Sequence, residues 1–303
     1  MSIENTYARL SDSDLSDSDL AELSGLHTEQ LAQFEQAYGA TETEQRRRIV
    51  GHLVKLADEN IELNFNTIFK NRLTDPDAEV RRQAIEGLWE CEEPSMVPLL
   101  IDLLENDSSE MVQTEAAAAL GRFAILAEHG KLNENTTTSL GLALLSTIGD
   151  KNKSVDIRCC ALEAVAPLSL PGVNSVISES YHADDDQLNL SAICAMGTSC
   201  DPSWLPTLLS ELTDSDAERR RVAAAALGEL EEEDTVPQLA ELVYDDDTDV
   251  QLTVIQALGE IGGAEAKECL ELCMDDEEEA IRLAAEEALS KASDKENLQS
   301  FSI

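Results

Sequence analysis

Residues 77–88 read DAEVRRQAIEGL, and the small or apolar positions Val80, Ala84, Gly87 and Leu88 fall at i, i+4, i+7 and i+8, one face of an α-helix. The polar positions occupy the opposite side. The pattern returns along the chain. Aligned on Leu88, the equivalent position is Leu120, Val165, Met196, Leu227, Leu258 and Leu289, at intervals of 32, 45, 31, 31, 31 and 31 residues. A period in this range marks stacked units of supersecondary structure, each burying its apolar face against its neighbours. Three residues before Val80 stands Asp77, and its equivalents are Ser109, Ser154, Asp185, Asp216, Asp247 and Glu278. All but the last are Asp or Ser, whose side-chain oxygen accepts from a free amide of the first helical turn, so these positions predict helix N-caps rather than catalytic carboxylates.

Each unit pairs this helix with a plainer amphipathic one, as in residues 94–105 (PSMVPLLIDLLE), 202–213 (PSWLPTLLSELT) and 235–244 (TVPQLAELVY). Proline in their opening turns is tolerated because the first amides need no intrahelical acceptor. Small residues at the positions of Ala84 and Gly87 let neighbouring helices approach. The first pair is expected at residues 28–38 and 43–57, with Leu53 as a degenerate anchor. Before it, residues 11–20 (SDSDLSDSDL) place a leucine every fifth position, a period of neither helix nor strand; residues 1–27 therefore read as an acidic low-complexity segment, largely disordered or a capped lead-in to a helix at 19–24. The unit with the 45-residue spacing carries its extra length near residues 126–138 (LAEHGKLNENTTT), which predict a loop. The array is expected over residues 28–292, with a frayed polar tail at 293–303. The fold predicted is all-α: a right-handed α-solenoid of about eight helix pairs.

Charge narrows the function. With 21 Lys and Arg against 62 Asp and Glu, the net charge is −41, which argues against nucleic acid and against anionic membrane surfaces, both of which recruit clustered cations. The excess fits two readings, a basic protein partner or adaptation to salt. No stretch approaches a membrane span and residues 1–10 lack the apolar core of a secretion signal, so a cytoplasmic protein is expected. Aromatics are only 4% of the chain, too few for an aromatic-lined cofactor cavity, and no cofactor is expected.

No catalytic set emerges. The seven cysteines are odd in number and form no CxxC pair, which favours reduced thiols. Cys269 and Cys273 lie at i, i+4 but lack further ligands nearby, and ordinary helix packing explains them better than a metal. The triplets Arg46, Arg47, Arg48 and Arg219, Arg220, Arg221 point in three directions around a helix, so salt bridges to neighbouring acidic units account for them.

The segments DPDAEVRRQAIEGL, DSDAERRRVAAAALGEL, DDDTDVQLTVIQALGEIGG and DDEEEAIRLAAEEAL resemble HEAT repeats of the short bacterial kind, the type also seen in phycobilin lyase subunits; the likeness covers roughly residues 42–292. It implies an armadillo-like solenoid that binds protein with its second helices on a concave face. Deoxyhypusine hydroxylase, an enzyme of this type, holds iron with His-Glu pairs. Here His27, His52, His129 and His182 are followed by Thr, Leu, Gly and Ala, so that chemistry is not expected. The likeness to lyase subunits leaves a second reading, a lyase-like subunit or chaperone of a cofactor-bearing protein.

The first reading is a non-catalytic scaffold or adaptor. With Val80 and Ala84 in the core, the outward stripe runs through Arg82 and Glu86. The equivalents of Arg82 include Cys159, Leu190, Arg221, Leu252 and Leu283. Leucines on this row, flanked by Arg221, Gln256 and Glu287, predict a groove for a partner helix or extended peptide, unless the leucines pack against a first helix.

Overall fold

The computed structural model describes residues 3–12 and 15–300, with the side chains of 4, 5 and 296–300 excepted. The described residues are all-α, without strand. They fall into two compact units, Met1–Ala143 and Leu144–Ile303. The first holds α1 (Ile3–Arg9), α2 (Asp17–Ala21), α3 (Thr28–Tyr38), α4 (Thr43–Glu59), α5 (Asn66–Arg72), α6 (Ala78–Glu86), α7 (Met96–Asn106) and α8 (Glu110–Glu128). The division falls within α9 (Glu134–Gly149). The second holds α10 (Val155–Val165), α11 (Val173–Tyr181), α12 (Asp186–Thr198), α13 (Leu205–Glu211), α14 (Ala217–Leu230), α15 (Val236–Glu241), α16 (Thr248–Ile261), α17 (Gly263–Cys273) and α18 (Glu279–Ser300). From α3 onward the helices make eight pairs in chain order, the number the repeat period predicts.

The anchors are core. Leu88, Leu120, Val165, Met196, Leu227 and Leu258 are all buried, as are Val80 and Ala84, while Leu289, at the last repeat, is half-buried. Second helices pack on second helices: α4 on α6 and α6 on α8 in the first unit, and α10, α12, α14, α16 and α18 in succession in the second. The close approach is made by a glycine one residue beyond the anchor. A Cβ built on Gly197 would stand 2.6 Å from Ala226 Cα, one on Gly228 2.9 Å from Ala257 Cα, and one on Gly259 2.8 Å from Ala288 Cα.

Capping follows the sequence in part. Asp77, Asp185, Asp216 and Asp247 accept from first-turn amides, whereas Ser109 and Ser154 are extended N-cap residues whose side chains make no such bond. Two residues before the cap position, a second aspartate turns the chain: Asp75, Asp107, Asp214, Asp245 and Asp276 each accept the amide two residues on, at 2.8–2.9 Å.

A further bond recurs at five of the seven equivalent positions and locks the turn to its second helix. Arg81, Asn189, Arg220 and Arg282 each donate from the side chain to the carbonyl six residues earlier, at 2.8–2.9 Å, and Gln113 does the same. Arg81 and Arg220 use their remaining donors on the next repeat, gripping Asp107 and Asp245 bidentately at 2.7–2.8 Å. The arginine triplets are thereby accounted for as ion pairs. Arg46 meets Asp75, Arg47 meets Asp77 and Arg48 meets Glu44 at 3.9 Å, while Arg219, Arg220 and Arg221 meet Glu211, Asp245 and Glu218.

The structure corrects three local expectations. Residues 126–138 are mostly helix: α8 continues to Glu128, Gly130 ends it at φ +72°, and Asn133 accepts the Thr136 amide to start α9. Polar threonines signal a loop only where nothing caps them, and here Asn133 does. Residues 15–27 and 3–12 are not loose, because Leu10, Leu20 and Leu23 are buried and Ser16 closes a capping box with Asp19 over α2. Residues 1, 2, 13 and 14 of that segment lie outside the described residues. Instead of fraying at 293, α18 runs on to Ser300, with Lys295 Nζ donating to Glu260 O at 2.7 Å; residues 301–303 of the expected tail lie outside the described residues.

Candidate protein-binding face

The second helices of the Leu144–Ile303 unit present the same register position on adjacent elements: Cys159 on α10, Leu190 on α12, Arg221 on α14, Leu252 on α16 and Leu283 on α18. Coverage is uneven along this row. Cys159 is buried, Leu190 and Leu252 are half-buried, and Leu283 is 58% exposed. The expectation that Cys159 contributes an open contact is therefore wrong. Ser191 hydrogen-bonds its thiol and the Glu163, Asp185 and Asp156 carboxylates face it, while burial, the largest influence, pushes the thiol above its ordinary range. Arg221 pairs with Glu218 at 2.5 Å, and Gln256 and Glu287 are exposed beside the leucines. In the Met1–Ala143 unit, Arg82 and Glu86 lie together on α6, 3.1 Å apart, and Arg82 also reaches Glu79 at 2.9 Å and Glu115 at 3.7 Å.

Polar side chains also bridge successive second helices on this side. Ser191 Oγ donates to Glu163 at 2.6 Å, Thr198 Oγ1 donates to Glu229 at 2.8 Å, and Lys291 reaches Glu260 at 3.0 Å. Sequence reading missed them. Their only signal is positional, one and eight residues beyond the Leu190 register, and serine or threonine there looks like any surface polar residue. Burial, with the Glu260 carboxylate behind it, raises the Glu229 carboxyl although Thr198 counteracts. Cys194 is pushed up to about 12 by burial and by the Glu163 and Glu229 carboxylates. A thiol held protonated in this way is no nucleophile at neutral pH. All seven cysteines are unbridged.

The histidines serve locally. His27 Nδ1 accepts the Gln30 amide at the start of α3, and His52 meets Asp17 at 2.8 Å. Among the described residues no group of three or more His, Cys, Asp or Glu is placed to hold a metal ion, and no helix is long and apolar enough to cross a membrane.

Helix pairs of this period, with second helices stacked glycine on alanine and turns locked by repeated polar bonds, define an α-helical repeat protein. Residues 67–134 and 205–290, just over half of the 303, match the family model of HEAT repeats, and the chain belongs to the HEAT-repeat family. Among solved structures, human deoxyhypusine hydroxylase in complex with glycerol is 17% identical over 96% of each chain, with a TM-score of 0.37. The Escherichia coli protein YibA is 17% identical over 78% of this chain and 96% of its own, with a TM-score of 0.46. A structure of Kap95p with RanGDP is 15% identical over 96% of this chain and 45% of that one, with a TM-score of 0.49. Likeness at these levels says nothing about activity or partner. The comparison with curated proteins finds no match.

Proposed function

We propose that the chain is a non-catalytic scaffold or adaptor that binds a segment of a partner protein on its second-helix face, in a compartment that keeps its thiols reduced. The observation that carries this reading is the row through Leu190, Leu252 and Leu283, apolar yet incompletely covered by the protein itself, interrupted by Arg221 on α14 and flanked by Gln256 and Glu287. An apolar strip with a polar rim suits an amphipathic helix or an extended peptide. The thiols on this face are held protonated and its carboxylates are engaged with Ser191, Thr198 and Lys291, an arrangement that suits binding better than bond-making.

The test places a photo-crosslinking residue at Leu283 and, as a control, at the exposed Ser175 on the first helix α11. Crosslinked in its native cells, the protein is expected to give discrete adducts from 283 and not from 175. Leu252→Ser with Leu283→Ser should remove capture while costing about 1–2 kcal/mol of stability, because neither side chain is fully buried. Identical adducts from both positions, or a melting loss of core size, would show that the row is not a docking face.

A further inference from the structure

In the first unit one helix stops early. α6 ends at Glu86, two residues before its anchor Leu88, whereas α14 runs three residues past its anchor Leu227 and α8 eight past Leu120. The C-terminal half of α8 thus lacks the second-helix neighbour that glycine-on-alanine stacking provides in the other unit. In place of that glycine stands Trp89, 51% exposed. A groove of about 570 Å3 opens beside it, lined by Cys91, Phe123, Ile125 and Leu126, with Ile125 46% exposed. A smaller groove of about 290 Å3, lined by Asp58, Glu86, Glu115 and Arg122, shares the same tryptophan.

The cations nearby are already engaged. Arg122 gives both Nη groups to Leu88 O at 3.3 Å, capping the shortened α6; Lys131 meets Glu92 at 3.0 Å; Arg82 is shared among Glu79, Glu86 and Glu115. The exposed carboxylates of Asp58 and Glu90 make no ion pair among the described residues. Burial, the largest influence, raises the Glu115 carboxyl although Arg82 and Arg122 counteract, and the Glu86 and Glu79 carboxylates add to the rise. The last turn of α8, which lines the larger groove through Leu126, adds partial negative charge there. An incoming cation meets a half-exposed indole, the unpaired carboxylates of Asp58 and Glu90 and the C-terminus of α8, while an incoming anion meets only cations already bonded.

We propose that the Trp89 groove docks a basic segment of a partner protein, with a lysine or arginine side chain lying on the indole between Asp58, Glu86 and Glu115 and a neighbouring apolar side chain entering between Ile125 and Leu126. The inference rests on the reading of the chain as a protein-binding array and names the chemistry of the partner. Cation–π attraction at a partly covered indole, added to exposed charge pairs, amounts to about tenfold in affinity over charge alone.

The chain has two tryptophans, so in a Trp204→Phe background the emission reports Trp89 alone. Titration with a blocked octapeptide of alternating lysine and leucine is expected to shift that emission saturably. Alternating lysine and glycine should bind about tenfold more weakly, and alternating glutamate and leucine should give no shift. Asp58→Asn with Glu90→Gln, which breaks no ion pair of the fold, should weaken the lysine–leucine peptide about tenfold. Equal binding of the lysine–glycine peptide, a stronger response to the glutamate–leucine peptide, no saturable shift, or emission that depends on protein concentration without peptide would each overturn the proposal, the last by showing a second copy in the groove. Leu252→Ser with Leu283→Ser should leave this titration unchanged, which separates its failure from failure of the leucine row.

Discussion

Gly197→Ala, the addition of one methyl group, is expected to lower the melting temperature by roughly 4–12 °C. Within a helix this exchange normally stabilises by about 1 kcal/mol, because alanine loses less backbone freedom on folding. Gly197 lies inside α12, yet its Cβ would stand 2.6 Å from Ala226 Cα and 2.8 Å from Ala226 O. Both are backbone atoms of α14, so no side chain can swing aside; the helices must separate, and the neighbouring Gly228–Ala257 contact constrains that movement. Overpacking of this kind costs about 2–3 kcal/mol net, and a domain of this size shifts by about 2–4 °C per kcal/mol. Gly149→Ala supplies the opposite sign, since Gly149 closes α9 with nothing within 4 Å of the added Cβ, and should be neutral or slightly stabilising. Calorimetry on both variants decides the matter: if Gly197→Ala melts at or above the parent, the helices do not approach as described.

The repeat was legible because it is a packing constraint. Only a small or apolar residue fits at Leu88 and its equivalents, so the anchors recur in residue type as well as in spacing. The bond that locks most of the turns was not legible, because Arg81, Gln113, Asn189, Arg220 and Arg282 share only the ability to donate to a carbonyl, and among the described residues Arg158 and Gln251 at the same register do not make it. The leucines can be aligned to one register by sequence, but their exposure depends on what each neighbouring helix covers. Cys159 is closed over while Leu283, on the last second helix, is open. The Trp89 groove depends on where α6 stops. Gly87 reads as one more small stacking residue, whereas it closes the helix, and a side chain there would strike the Phe69 ring at 2.6 Å.

Arg220→Gln separates the two bonds that one arginine makes. Glutamine occupies the equivalent position at Gln113 and still donates to the carbonyl six residues back, so the variant can keep the lock on its own turn while losing the bidentate grip on Asp245 of the next repeat. Both partners are largely covered, with side chains 15% and 9% exposed. Removing one member of such a pair leaves a desolvated carboxylate, and a loss of about 2–3 kcal/mol is expected at pH 7. The pH dependence carries the sign. Arg220 holds the Asp245 carboxyl below its ordinary range, so the contribution of the pair is fully present above the unfolded value of about 4 and disappears as pH falls through the lower folded value. The stability difference between parent and variant should therefore stay constant from pH 7 to about 5 and shrink toward zero in stronger acid. Asp245→Asn in the Arg220→Gln background should recover part of the loss at pH 7 and flatten the profile. Denaturant melts across this range test it, and a difference that persists undiminished well below pH 3 would mean that packing of the arginine stem, not its ion pair, joins these two repeats.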